Sequence, residues 1–232
     1  MSEDLPLRDR HAVCDGCQDG VVLLDDHALH ASSVVANCAM NRERQLAGVN
    51  SYAKALGFDP ADGLSGAWLD LCCGSGRALI QAAQRLNGSV TLVGVDLVDA
   101  FLATPPGVTF VAAPIESWAP DRVFDLITCV HGLHYVGDKL GVISRVVSWL
   151  APRGRFAADL DLSSVRLEDG SPAGRRLVAR LRDAGVDYDA RRRRVSCVGP
   201  KELTLPYEYL GADDRAGANY TGQPAIHSYY RK

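Results

Sequence analysis

The chain reads Trp68-Leu-Asp-Leu-Cys-Cys-Gly-Ser-Gly-Arg77 where an apolar run passes through a turn of small residues into a helical pattern. A strand–turn–helix of this kind brings the backbone close to a ligand, and the start of the helix offers N–H groups to phosphates or to a carboxylate. A dinucleotide fingerprint that begins at Gly74 would need a small residue at position 79, which is Leu79. The spacing therefore disfavours a pyrophosphate.

Two carboxylates flank this turn. Asp70 precedes the glycines, where it would repel a pyrophosphate but could hold an ammonium group. Asp96 lies twenty residues after Gly76 at the end of another apolar run, the place from which a carboxylate reaches ribose hydroxyls. A ligand with ribose, ammonium and carboxylate groups is S-adenosylmethionine. The alternative is that both carboxylates only cap turns and helix starts.

The rest of the chain alternates apolar runs and helical patterns, which is typical of a parallel sheet with crossover helices. Strands are predicted at 68–71, 91–95, 108–111, 124–130 and 155–160, and helices at 77–86, 139–150 and 172–184. The strand-like runs 192–198 and 202–210, with a turn at 199–201 between them, predict a hairpin that closes the sheet. A further strand is predicted at 226–230.

These elements predict an α/β, Rossmann-like, doubly wound and mostly parallel seven-stranded sheet with antiparallel C-terminal strands and an N-terminal helical lid. The lid rests on the apolar spacing of residues 31–56, which indicates a helix. We expect one domain, with the lid at 1–65, a cofactor-binding core at 66–160 and a C-terminal helix, hairpin and acceptor-side loop at 161–232.

The quoted motifs resemble those of class I S-adenosylmethionine-dependent methyltransferases. That family's first motif is acid-x-Gly-x-Gly-x-Gly, and this chain has Asp70, Cys72, Gly74 and Gly76 at the four positions. Cys72 replaces the first glycine, as in the similar turn of methyltransferases of quinone biosynthesis. The resemblance continues through Asp96 to the fifth strand and covers residues 66–160. It implies S-adenosylmethionine as cofactor and S-adenosylhomocysteine as product.

Several residues become candidates for holding that cofactor. They are Asp70, Cys72, Gly74, Gly76, Asp96, Leu97, Ile115, Glu116, Val130, Tyr52 and Arg44. The family often has an acid facing the adenine amino group after the third strand, but this chain has Ala113-Pro114-Ile115 there. Adenine would instead be held by the backbone near Ile115, by Ser117, or by packing against Leu97 and Trp118. Arg44, in the run 41–44, could pair with the cofactor's carboxylate, and the alternative for the lid residues is a polar helix face with a core tyrosine.

The catalytic candidates follow the fourth strand, in Cys129-Val-His-Gly-Leu-His-Tyr135. A base helps methyl transfer when the acceptor carries a proton, and histidine has a suitable pKa. His131 is the first candidate, and His134 is the second. His131 could also orient the acceptor or be only a turn residue. Acceptor-binding candidates are His131, Tyr135, Asp213, Asn219 and Tyr220, and a self-capped surface loop is the alternative for the last three.

Composition limits the acceptor. The formal net charge is −3, and the four arginines at 191–194 indicate a solvated surface, so we expect no nucleic-acid partner. No apolar run approaches the length of a membrane span, and seven cysteines indicate a reducing cytoplasm. Cys14, Cys17, His27, His30 and Cys38 lack the paired spacing of a zinc site, so no metal is expected. The sequence leaves open whether the protein forms a homodimer.

The sequence thus predicts an enzyme that transfers a methyl group from S-adenosylmethionine to an O, N or C atom of a small molecule, with a bacterial specialised metabolite as the expected acceptor. The first alternative keeps the fold but uses the bound sulfonium in a cyclisation or isomerisation. The second is a nicotinamide-dependent oxidoreductase, which Leu79 disfavours. The third is a protein that binds the cofactor without catalysis.

Overall fold

The computed structural model describes residues 12–13, 21–36 and 44–232. Its strands are β1 (Ala12–Val13), β2 (Val22–Leu23), β3 (Gly66–Leu71), β4 (Val90–Asp96), β5 (Val108–Ala112), β6 (Phe124–Cys129), β7 (Leu150–Asp159), β8 (Val165–Leu167), β9 (Asp187–Asp189), β10 (Arg194–Val198), β11 (Glu208–Asp213) and β12 (His227–Arg231). Its α-helices are α1 (Asp26–His30), α2 (Ser33–Ala36), α3 (Tyr52–Leu56), α4 (Arg77–Leu86), α5 (Lys139–Val146) and α6 (Gly174–Asp183).

Seven strands form the central sheet in the order β5-β4-β3-β6-β7-β10-β9. The first five in this order run parallel, β10 is antiparallel to β7, and β9 is antiparallel to β10. The α/β Rossmann-like fold class is therefore confirmed. The chain order reverses between β3 and β6, and in such sheets the crevice outside the carboxyl ends at the reversal is where ligands bind.

The parallel strands are apolar because helices cover both faces of the sheet. Along β3, Leu69 and Leu71 pack in the cluster that contains α5 and α6, whereas Trp68 packs in the cluster that contains α3 and α4. This alternation is the period of two expected of a strand. The two buried layers hold the carboxyl ends of β3, β4 and β6 in fixed positions.

Helix α4 lies very close to β4. A Cβ atom at Gly94 would lie 2.9 Å from Cδ1 of Leu79 and 2.7 Å from Sγ of Cys73. Leu79 is fully buried at this contact. In the dinucleotide fingerprint, a small residue on the helix allows the helix to pack closely against the strand. Here a glycine on the strand, Gly94, allows the same close packing.

A buried polar network joins α3 to the sheet through Asp70. The hydroxyl of Tyr52 donates to Oδ2 of Asp70 at 2.6 Å, and the hydroxyl of Thr128 donates to Oδ1 at 2.6 Å. The indole Nε1 of Trp68 in turn donates to Oγ1 of Thr128 at 2.8 Å. Burial raises the pKa of Asp70 to about 7, although both hydroxyl donors oppose that rise.

A second sheet of three strands, in the order β11-β12-β8, packs beside the first. Its main anchor is Lys139, whose buried Nζ donates to the carbonyl oxygens of Val136 and Ile226 and to the hydroxyl of Ser228. The predicted hairpin between 192–198 and 202–210 is wrong. Strand β10 already pairs with β7 on one edge and β9 on the other, so the chain after residue 201 leaves the central sheet and forms β11 in the second one.

The continuous helix predicted for 31–56 is also wrong over the residues that the structure describes. Those residues are helical at 33–36 and 52–56, and bends fill most of 44–51. Gly48 has a φ of 113°, which interrupts a helix. Ser51 then begins α3, since its hydroxyl accepts the backbone N–H of Lys54 at 3.2 Å. Residues 37–43 lie outside the described part.

Replacement of Asp70 by asparagine should change how stability depends on pH. The raised pKa of Asp70 means that the folded protein retains a proton that the unfolded chain releases above about pH 4, so stability falls as the pH rises through about 7. This loss is roughly 2–4 kcal/mol. Asp70→Asn should show a smaller decline of the urea-unfolding free energy between these pH values. Asp121→Asn, at an exposed carboxylate, should keep the wild-type decline, and equal slopes for all three proteins would contradict the assignment.

Candidate functional site

One crevice opens at the carboxyl ends of β3, β4 and β6, where the strand order reverses. It holds about 700 Å³ of atom-free space, counting the part open to solvent. Ten of the sequence candidates line it, and they are Tyr52, Cys72, Gly74, Asp96, Leu97, Ile115, Glu116, Val130, His131 and Tyr135. The structure therefore brings together, from five separate segments, ten of the residues predicted to bind the cofactor or the acceptor.

The glycine turn forms the floor. Gly74 and Gly76 have φ angles of 60° and 75°, in the left-handed region that favours glycine. A Cβ at Gly76 would lie 2.1 Å from the ring of Phe110, so a larger residue cannot fit there without moving that ring. Cys72, where the resembling family has glycine, also has a left-handed φ of 55°. The turn therefore keeps the glycine-type backbone although one glycine is missing.

Asp96 fixes this turn from the neighbouring strand. Its Oδ2 accepts the backbone N–H of Gly74 at 2.8 Å, and its Oδ1 accepts that of Val98 at 3.1 Å. The same side chain lines the crevice. A carboxylate oxygen accepts more than one hydrogen bond, so Asp96 can hold the turn and still accept from a ligand hydroxyl.

Asp70 is not one of the residues that line the crevice. It is fully buried, and protein hydroxyls donate to both of its oxygens. Tyr52 lines the crevice in its place, with the hydroxyl held by Asp70. The effect of Asp70 on a ligand is therefore to orient Tyr52, because its own carboxylate is covered.

Another part of the crevice lining combines apolar side chains with an acid. Leu97 and Ile115 line it beside Glu116, whose Oε2 lies 3.5 Å from Nε2 of His30. The carbonyl oxygens of Ile115 and Glu116 both accept from the guanidinium of Arg145. These contacts fix the loop, and its Ile115 side chain and Glu116 carboxylate can contact a planar base.

Ser117 and Trp118 do not line the crevice. The hydroxyl of Ser117 donates to the carbonyl of Pro114 at 3.4 Å, and Trp118 packs edge-on against Trp149 with ring centroids 5.8 Å apart. Both residues therefore support the loop that carries Ile115. The base-binding roles proposed for their side chains are not favoured by this arrangement.

His131 stands at the end of β6 with a left-handed φ of 62°. Its backbone N–H donates to Oδ2 of Asp159 at 3.1 Å, and its ring Nε2 lies 3.6 Å from the same oxygen. Burial, then the charges of Arg44 and His134, lower the pKa of His131 to about 3, so the ring is neutral. Burial raises the pKa of Asp159 to about 6.

Asp159 is a functional candidate that the sequence reasoning missed. It ends β7, whose carboxyl end lies beside that of β6 because the two strands are parallel neighbours. The available signal was an acid at the end of the apolar run Phe156-Ala-Ala-Asp159, next to a strand that ends in a histidine. Pairing the ends of adjacent strands would have found it.

His134 is buried away from the crevice, and neither of its ring nitrogens makes a hydrogen bond. Its ring packs edge-on against Tyr220 with centroids 5.4 Å apart. Its carbonyl accepts the backbone N–H of Ile226, and the adjacent Tyr135 donates its hydroxyl to Oε1 of Gln223 at 3.3 Å. The turn after β6 is thus fastened to the C-terminal loop.

The remaining sequence candidates do not line the crevice. Arg44 donates to Oδ1 of Asn50 at 2.7 Å, and its charge acts on His131. Asn219 and Tyr220 line a second pocket, whereas Asp213 lines neither pocket and accepts the backbone N–H of Arg215. Cys14, Cys17, Cys38 and residues 41–43 lie outside the described residues.

Within 12–13, 21–36 and 44–232, no three histidine, cysteine or acidic side chains gather as metal ligands. The helices of the described part are too short or too polar to cross a bilayer.

A family model described as methyltransferase domain matches residues 40–199, more than half of the chain. Trans-aconitate 2-methyltransferase of Acidovorax sp. strain JS42 is 36% identical over 96 residues, which cover 40% of this chain and 37% of that enzyme. The same enzyme of Yersinia pestis strain Pestoides F is 33% identical over 95 residues, 39% of this chain and 36% of the relative. The match thus spans little more than a third of these relatives.

Solved structures give a weaker likeness. N-methyltransferase NodS from Bradyrhizobium japonicum WM9, in complex with S-adenosylhomocysteine, has a TM-score of 0.41 at 15% identity and covers 60% of this chain and 81% of its own. The plantazolicin methyltransferase BpumL, in complex with a triazolic desmethylPZN analogue and S-adenosylhomocysteine, has a TM-score of 0.43 at 14% identity and covers 60% of this chain and 54% of its own.

Gly76→Ala should destabilise the protein more than Gly88→Ala. Both glycines are left-handed, with φ angles of 75° and 73°, so the backbone cost of about 1 kcal/mol is shared. Only at Gly76 would the new methyl group meet Phe110, whose ring is stacked on Phe101 at 4.9 Å. We expect Gly76→Ala to lose at least about 1 kcal/mol more in urea unfolding. Equal losses in the two variants would show that the turn is not tightly packed.

Proposed function

We propose, from the premise that this chain belongs to the methyltransferase domain family, that it transfers a methyl group from S-adenosylmethionine to a small-molecule acceptor. The observation that carries the proposal is one crevice lined by two kinds of group. Gly74 of the glycine turn, Asp96 and Tyr52 line it together with His131, and Asp159 lies beside His131. Cofactor and acceptor can therefore meet within a single space.

The residues present fit S-adenosylmethionine. Gly74 lines the crevice, and its backbone N–H is held by Asp96, so the turn would bring backbone close to the cofactor. Asp96 would accept from the ribose hydroxyls, and Leu97 and Ile115 would pack against adenine beside Glu116. When bound, this cofactor supplies an electrophilic methyl group attached to a sulfonium.

The chain's own residues would act mainly by orientation. Placing an acceptor against the reacting carbon can lower the activation free energy by up to roughly 7–11 kcal/mol. The side chains of His131, Val130 and Tyr135 line the acceptor side of the crevice. His131 is neutral, but a pKa of about 3 makes it a weak base, so its ring would accept a hydrogen bond from an acceptor hydroxyl or amine and take the proton only as methylation makes that group acidic. Asp159 lies beside that ring and would stabilise the imidazolium that results.

The acceptor is proposed to be a small molecule, and a specialised metabolite remains the class that we favour. Two relatives are named for methylation of trans-aconitate. Trans-aconitate is therefore the first acceptor to test, ahead of a broad pool of hydroxyl, amine and acid acceptors.

Asp96→Asn should weaken the binding of S-adenosylhomocysteine about tenfold, because the variant loses one of the acceptor groups that hold the Gly74 turn and face the ligand. Isothermal titration calorimetry would measure the affinity. Asp121→Asn, at an exposed carboxylate, is the matched control.

The wild-type protein must bind S-adenosylhomocysteine, which is the thioether product. When S-adenosylmethionine and acceptors are added, the protein must form S-adenosylhomocysteine together with a methylated product. Product without S-adenosylhomocysteine would support the cyclase or isomerase alternative. Absence of any affinity for either sulfur ligand would overturn the proposal.

The pH dependence of turnover should report Asp159. Below about pH 6 this carboxylate becomes protonated, so the negative charge beside His131 is lost and turnover falls. Asp159→Asn should lower the plateau of kcat and abolish the limb near pH 6. His131→Ala should lower kcat about 10²-fold with little change in S-adenosylhomocysteine affinity. Unchanged turnover in His131→Ala would exclude its role in the reaction.

A further inference from the structure

A second pocket lies behind Tyr220, between the end of β7 and the loop that joins β11 to β12. It contains about 630 Å³ of atom-free space, counting the part open to solvent. Arg193, Asn219 and His227 line it together with Tyr220, and Asp161 and Ser163 line its other side. Unlike the crevice, this pocket is lined mainly by polar side chains.

Two hydrogen-bond donors in this pocket are unused. Nη1 of Arg193 and Nδ2 of Asn219 are both buried atoms without a hydrogen-bond partner. The amide of Asn219 is oriented by its oxygen, because Oδ1 accepts both the N–H and the hydroxyl of Thr221. Buried donors without acceptors are uncommon and costly, so each such group calls for an explanation. Donors from two separate segments that line one pocket point to a ligand with acceptor oxygens.

The charges in the pocket decide what kind of oxygen fits. The guanidinium of Arg193 lies over the ring of Tyr220, with Cζ 4.0 Å from the centroid, so its position is constrained. Its nearest acid is Asp161, whose Oδ2 is 3.8 Å from Nη1, beyond hydrogen-bonding distance. Oδ1 of Asp161 is occupied by the backbone N–H and the hydroxyl of Ser163. Arg193 therefore retains a donor for a second carboxylate.

Tyr220 brings this pocket close to His131 of the crevice. Its ring lies 6.5 Å from that of His131, centroid to centroid, and it forms part of the wall of the second pocket. A small molecule that reaches past Tyr220 could therefore present a reacting atom to His131 while its other end contacts Arg193.

We infer that the pocket behind Tyr220 binds a carboxylate of the methyl acceptor, with Nη1 of Arg193 and Nδ2 of Asn219 as its donors. This inference rests on the proposed function and adds to it a class of substrate, small organic acids. The acid held here is distinct from the atom that is methylated, because the donors line a pocket that does not include His131.

The test is a calorimetric titration of the protein saturated with S-adenosylhomocysteine. The probes are acetate, succinate and tricarballylate, with the triamide of tricarballylate as an uncharged match. We expect at least one carboxylate to bind and the triamide to bind much more weakly. Arg193→Gln and Asn219→Asp should each weaken that carboxylate about tenfold or more, the second because it places a negative charge where a donor was.

Two further variants make the result specific. Arg192→Gln removes the adjacent exposed arginine, which pairs with Asp189 at 3.0 Å, and should leave carboxylate affinity unchanged. Asp161→Asn removes the competing charge and should tighten carboxylate binding, an outcome that a merely structural pocket would not produce. If no carboxylate binds, or if Arg193→Gln and Asn219→Asp bind it as wild type does, the inference is wrong.

The affinity for S-adenosylhomocysteine is measured separately in every variant. Retained thioether binding with no carboxylate effect would overturn the second pocket alone. Loss of thioether binding in the wild-type protein would instead overturn the proposed function.

Discussion

The buried carboxylate of Asp70 is the interaction on which the site depends. It accepts from Tyr52 on α3 and from Thr128 on β6, and it stands at the end of β3 itself. One acid therefore ties helix α3 to β3 and β6, the two strands between which the chain order reverses. Burying a carboxylate is costly unless its oxygens are hydrogen-bonded, so these hydroxyls are held in place by the need to satisfy it. The crevice opens directly above this arrangement.

Backbone strain is concentrated at the same place. Among the described residues other than glycine, Cys72, Asn87, His131 and Arg193 have left-handed φ angles. Asn87 ends α4, where such a conformation is ordinary. The other three line the crevice or the second pocket. Left-handed backbone costs about 1–3 kcal/mol for such residues and persists where the surroundings impose it. Here the surroundings are the strand ends and Gly132, at which a Cβ would lie 2.3 Å from that of Cys72.

The C-terminal region links these two pockets. Lys139 is buried under β12, and its donations to the backbone and to Ser228 hold the second sheet against α5. The loop of that sheet carries Tyr220, whose ring packs between His134 and the guanidinium of Arg193. The part of the chain after residue 160 therefore does more than close the central sheet, since it supplies the polar pocket next to the crevice.

The sequence alone determined the five parallel strands of the central sheet, the strand β10 and much of the crevice lining. The turn at 72–76, Asp96 and His131 were predictable because each lies at the end of an apolar run, and a local pattern places all such ends at one edge of a parallel sheet. Only the tertiary structure decided which partners these residues have. Tyr52 meets Asp70, and Asp159 meets His131, across gaps in the sequence that no periodicity connects. The partners of β11 and the continuity of the lid helix were predicted wrongly for the same reason. Strand pairing depends on which edges are already occupied, and a helix ends where one glycine and one cap outweigh an apolar pattern.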